Sequence, residues 1–245
     1  MTHFSDELRI GKVFNSKFLG ATPQTFVSDR PIPDLGPGAV CSPMFIYSFV
    51  PVAISTTNVA ASQTPGAAGN LTLTAGTGTT AATIFGVAAV KADVPRALKI
   101  SCAGADSGRT FTVTGYDLYG QVQTEAIAGA ATGSTNGKKT WLYITQIAVD
   151  AATAGAITVG FTDIFGLPYA VTDKTLLTVK WNNTLADDAS TVVVADASAV
   201  TTTTGDVRGT VAQSSGASDG VKRMTCYIAI LDPDTSTGLY GVTPA

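Results

Sequence analysis

Residues 109–127 read RTFTVTGYDLYGQVQTEAI. Phe111 and Val113 alternate with Thr110, Thr112 and Thr114, a period of two that suits a strand with one buried face. Asp117-Leu118-Tyr119-Gly120 offers a turn in which Gly120 is free to take positive φ, and residues 121–127 return as a second strand. A chain that commits to this hairpin needs further strands beside it, because an isolated two-stranded unit cannot bury its apolar face.

The rest of the chain supplies them. Leu98, Ile100 and Cys102 alternate with Lys99 and Ser101, and residues 103–108 (AGADSG) form a turn. Residues 129–137 read as a long Gly/Ala/Thr/Ser/Asn turn. Residues 140–149 follow as a strand with Trp141, Tyr143, Ile147 and Val149 on one face. Ile157, Val159 and Phe161 then alternate, as do Leu177, Val179 and Trp181, with a turn expected at Asn182-Asn183-Thr184. Short strands are expected over 70–74, 191–195, 207–213 and 224–231, and loops over 56–69, 76–82 and 197–204. Residues 45–55 (FIYSFVPVAIS) read as the first strand of the body, buried on both faces. Strand signals every 8 to 12 residues, separated by turn residues, indicate an all-β fold. The expected form is an antiparallel β-sandwich or jelly-roll-like body. No helix is expected beyond a turn near residues 5–10.

Residues 1–43 are different. Phe4, Phe14, Phe18 and Phe26 are dispersed among polar residues, and Pro31, Pro33 and Pro37 favour an extended course. This segment reads as an extended N-terminal arm that docks on a neighbour, with residues 44–245 as the β-rich body and 95–170 as its best-defined unit. The body reads as one domain or as two packed sub-domains.

Composition narrows function by exclusion. The 15 basic and 18 acidic residues give a net charge of −3 and form no run of either sign. A nucleic-acid binder needs a basic stripe to displace counterions, so direct nucleic-acid contact is not expected, nor is an anionic membrane surface. The opening residues lack the order of a secretory signal, and the apolar run at 44–55 is too short to span a bilayer and is broken by Pro51. The expected place of synthesis is a cytoplasm. Cys41, Cys102 and Cys226 are isolated, and the last two alternate with apolar residues as buried thiols do.

Catalytic signals are weak. His3 is the only histidine and lies in a terminal stretch, a poor place for a triad. No nucleophile elbow, phosphate loop or zinc motif occurs. Asp117, Glu125, Asp163, Asp187 and Asp188 are the candidate carboxylates for glycoside chemistry, but aspartate in turns is ordinary. Asp187-Asp188 and residues 232–234 lack the spaced oxygen ligands of a calcium loop. Trp141 and Trp181 fit a sugar platform only if exposed; at alternating strand positions they suit a core better. No enzyme activity, cofactor or metal is therefore expected.

From residue 95 to residue 169 the chain resembles virion proteins of tailed bacteriophages. The residues that carry the likeness are ALKISCAGADSGRTFTVTGYDLYGQVQTEAI and then GKKTWLYITQIAVDAATAGAITVGFTDIFGLPY. The resemblance implies a head or tail structural protein, most often a capsid decoration or cement protein. Such a protein bridges major capsid protein subunits against the pressure of packaged DNA. It implies a location in the virion head, the major capsid protein as partner and self-association as a dimer or trimer. Phe14, Phe18, Phe26 and Arg30 are the arm residues expected to touch capsid or a sister subunit. The alternatives are another virion component (tail, neck or fibre-associated) and a carbohydrate-binding adhesin.

Overall fold

A computed structural model describes residues 44–185, 192–196, 205–213 and 216–229. The expected arm, with Phe14, Phe18, Phe26 and Arg30, lies outside the described residues. So do His3, Cys41, Asp187, Asp188 and residues 232–234.

The described chain is all-β and antiparallel, and sandwich-like, with a large curled sheet and a smaller one. The strands are β1 (Met44–Phe49), β2 (Ala60–Gln63), β3 (Gly69–Asn70), β4 (Thr79–Ile84) and β5 (Val87–Cys102). They continue with β6 (Thr110–Tyr116), β7 (Val122–Ala128), β8 (Gly133–Val149), β9 (Ile157–Gly166) and β10 (Leu177–Trp181). The last are β11 (Thr184–Leu185), β12 (Val192–Val193), β13 (Thr210–Ala212) and β14 (Met224–Ala229). The larger sheet runs β12-β13-β9-β5-β8-β6-β7, with β2 on β9, β3 on β8 and β4 on β5; the smaller runs β1-β14-β10-β11.

Two long strands organise the body. β5 spans 16 residues and β8 spans 17, about 50 Å of extended chain each. The first core gathers Leu98 and Ile100 of β5, Phe111 and Val113 of β6, Trp141, Ile144 and Ile147 of β8, and Ile157, Val159 and Phe161 of β9. The second gathers Phe49, Leu177, Val179, Trp181, Met224, Cys226 and Ile228 from the small sheet. Phe165, at the far end of β9, closes that second core by an edge-to-face contact with Phe49 at 5.1 Å. One strand thus supplies both cores.

The expected hairpin stands where its alternation places it, with β6 and β7 paired from Thr110–Ala128 to Tyr116–Val122. Asp117 Oδ1 accepts hydrogen bonds from the backbone N–H groups of Tyr119 and Gln121, and Gly120 has φ +75°. Cys102 and Cys226 are buried free thiols; burial pushes the Cys226 thiol up to about 12.

Four local expectations are corrected. Residues 133–137 are strand rather than turn, because Gly133–Asn136 pair with Lys99–Cys102 of β5. β4 replaces much of the expected loop at 76–82, recruited residue by residue onto β5. Leu71 and Leu73 lie beyond the two-residue β3 instead of in a strand, although Leu71 is buried, and β2 occupies part of the expected 56–69 loop. The first strand ends at Phe49 and is not buried on both faces: Met44, Phe45 and Ile46 are exposed because β1 has only β14 beside it among the described residues. No described helix is long and apolar enough to cross a membrane.

Candidate docking surface

The candidate site is built on the β6–β7 turn. Tyr116 ends β6, and the edge of its ring receives Phe85 at 5.3 Å between centroids, with the planes at 62°. Phe85 and Gly86 form the two-residue connection between β4 and β5, and both have positive φ, +48° and +82°. That is the backbone of a hairpin turn whose first position ordinarily takes Asn, Asp or Gly. A bulky aromatic residue held there is strained, and such strain concentrates where a side chain has a task.

Phe85 is also 75% exposed. Its lower edge lies over Gly120, where an added Cβ would sit 3.6 Å from Phe85 Cζ. Val87 and Val122 are exposed on the strands next to it. The result is an apolar tip on a firm base. At the same hairpin an open groove of about 400 Å³ is bordered by Leu71, Leu73, Ala81, Ala82 and Ala89.

The base is fixed from below by buried charge. Arg208 Nη1 lies 2.5 Å from Asp117 Oδ2, and its guanidinium sits 4.7 Å from the centre of the Tyr119 ring. Tyr119 Oη donates to the Pro168 carbonyl at 2.6 Å. Beside this, Asp206 accepts from Thr140 N at 2.9 Å and Oγ1 at 2.8 Å, and from Arg208 N at 2.9 Å. Lys139 Nζ donates to the Gly205 carbonyl at 3.0 Å, and Glu125 accepts from the backbone N–H groups of Lys138 and Lys139. Burial dominates all three ionisable groups here: it raises Asp206 and Glu125 and lowers Lys139, against the hydrogen bonds and opposite charges that pull the other way.

A second buried centre forms around Arg96, which pairs with Trp141 and Phe165 on the neighbouring strands. Arg96 is fully buried, with its guanidinium 5.1 Å from the Phe165 ring centre and Nη2 donating to the Val52 carbonyl at 2.8 Å. Asp93 lies 3.6 Å from its Nε and Asp163 lies 3.9 Å from Nη2. Asp163 in turn accepts from Gln213 Nε2, Ser218 N and Ser218 Oγ. Burial lowers the Arg96 pKa, with Asp93 and Asp163 opposing that shift.

The candidate carboxylates therefore separate. Asp117 stays in its turn, whereas Glu125 and Asp163 lie in β7 and β9, not in turns, and each has its own partners. Trp141 and Trp181 are buried, 0% and 5% exposed, so neither presents a ring face to a sugar. Among the described residues no three His, Cys, Asp or Glu side chains gather as metal ligands would.

The chain matches no family model, no curated protein and no solved structure. The function therefore has to be argued from the surface itself. Phe85, Arg208 and Lys139 belong to no catalytic or binding motif in the sequence. The available signal was Phe85-Gly86 between alternating segments, a weak form of the Asn-Gly hairpin mark.

Proposed function

We propose that this protein is a non-enzymatic structural component of a tailed-phage virion, a capsid cement or decoration protein that bridges subunits of the major capsid protein. The observation that carries the reading is Phe85: a strained, three-quarters exposed aromatic on a base held by a buried ion pair. Rigid aromatic anchors ringed by smaller apolar residues are where binding energy concentrates at protein interfaces. The described acids that might have served hydrolysis hold backbone and cationic groups in place, a structural use of charge. The sequence likeness over 95–169 supplies the virion context. Phe14, Phe18, Phe26 and Arg30 of the arm add contact area on capsid or on a sister subunit in this reading.

Cryo-electron microscopy of particles carrying the protein tests it. Hundreds of copies spanning the joints between capsid subunits, with the Phe85 tip at the contact, is the expected result. A few copies at one vertex would make it a neck or tail component instead, and absence from the particle would end the virion reading.

A further inference from the structure

The edge of β1 that pairs with no other strand among the described residues carries the inference. A sheet edge is ordinarily protected by charge, proline, shortness or an inward-pointing ionised side chain. β7, an edge of the large sheet, has Glu125 pointing inward to the β8 backbone. β11 and β12 have two residues each, and β4 (TTAATI) offers threonine and alanine. β1 has none of these devices: it reads MFIYSF, six residues without charge or proline. Met44 and Ile46 are 43% and 57% exposed on its outer face. Phe45 shares the inner face with Tyr47 and Phe49, yet it is 37% exposed while Phe49 is buried. Among the described residues nothing covers the second core at this margin.

We propose that this edge receives residues 13–19 of a second copy of the chain as an added strand. The segment reads VFNSKFL, so Phe14 and Phe18 share one strand face and can cover Phe45 and Tyr47. The same chain is poorly placed to fill its own edge. A tight return into β1 would use residues 33–38, PDLGPG, whose two prolines and two glycines oppose strand pairing. Residues 13–19 are followed by Pro23, Pro31, Pro33, Pro37 and Pro43 before β1 begins. Proline-rich chain reaches about 3.1 Å per residue, or roughly 75 Å over this connection. That reach exceeds the extended length of β5 or β8, about 50 Å each, so the connection is long enough to bring the strand to a neighbouring copy. Reciprocal or cyclic exchange then closes a dimer or a small ring. The inference rests on residues 1–43 acting as an arm, and it does not depend on capsid decoration.

The test places a photocrosslinker on the edge of the full-length protein. A tagged chain carrying Ile46→p-benzoylphenylalanine is co-produced with an untagged chain, purified through the tag and irradiated. The expected product joins tagged to untagged chains, with the bond mapped by mass spectrometry to residues 13–19. Phe14→Asp with Phe18→Asp in the untagged chain lowers its yield at least tenfold, and both changes lie outside the β body. Crosslinks confined to one chain, crosslinks to the body of another copy, or a protein that is monomeric by light scattering with no intermolecular product would each overturn the inference. Particle occupancy, measured separately, decides the cement reading, so a monomer that still decorates capsids fails only here.

Discussion

Arg208 and Asp117 meet at 2.5 Å across 91 positions of sequence, and both side chains are almost wholly buried, 6% and 8% exposed. The pair ties the 205–208 segment to the β6–β7 turn. Asp117→Asn keeps an acceptor for the Tyr119 and Gln121 N–H groups but strands a buried guanidinium. The expected cost is about 3–5 kcal/mol in urea unfolding. Asp117→Asn combined with Arg208→Met recovers much of that loss, because no uncompensated charge remains. Additive costs in the double variant would show that the two groups act independently.

Phe85→Asn separates docking from folding. Asn accepts the left-handed backbone at the turn, relieving roughly 1–3 kcal/mol of strain, while the contact with Tyr116 worth about 0.5–1.5 kcal/mol is lost. The unfolding free energy should therefore stay level or rise slightly. Under the proposed cement function, affinity for capsids should fall at least tenfold, measured by co-sedimentation. A variant that binds normally removes Phe85 from the interface.

Gly115 marks a close approach within the large sheet. A Cβ there would overlap the Tyr143 carbonyl oxygen, a backbone atom that cannot swing aside, at the point where the β6–β8 register shifts. Gly115→Ala should cost about 3 kcal/mol, the upper end of overpacking. Thermal unfolding of the two proteins decides it, and an unchanged midpoint would mean that the sheet can spread there.

The elements legible in the sequence are those whose own side chains alternate. β6, β7 and β10 stand where Phe111/Val113, the returning strand and Leu177/Val179/Trp181 place them. β4 and the start of β8 were not legible, since TTAATI and GSTN have turn-like composition and become strand through register with β5. The buried charges were hidden for a related reason. Lys139 and Arg208 look like surface residues until the fold brings Gly205 and Asp117 to them from 66 and 91 positions away. The strain at Phe85 is a backbone property that composition does not report. Residues 1–43 lie outside the described residues, and the crosslinking experiment tests whether they act as an arm.

Stability should depend on pH through Glu125 and Asp206. Burial raises both folded carboxyls, so above an unfolded value of about 4 the native state retains protons that the unfolded chain has released. Their contribution is complete below that unfolded value and is lost as pH rises through the raised folded values. Lys139, lowered by burial, acts in the opposite sense: its contribution is present above an unfolded value near 10 and is lost as pH falls through the lowered one. Urea unfolding followed upward in pH from the unfolded carboxyl value of about 4 should show stability falling as pH rises toward the raised folded values. Glu125→Gln should make that slope shallower, whatever pH-independent cost the amide adds. An identical slope in the two proteins would mean that Glu125 titrates in the folded state as it does in the unfolded chain, and that its burial leaves the carboxylate fully compensated by the Lys138 and Lys139 N–H groups.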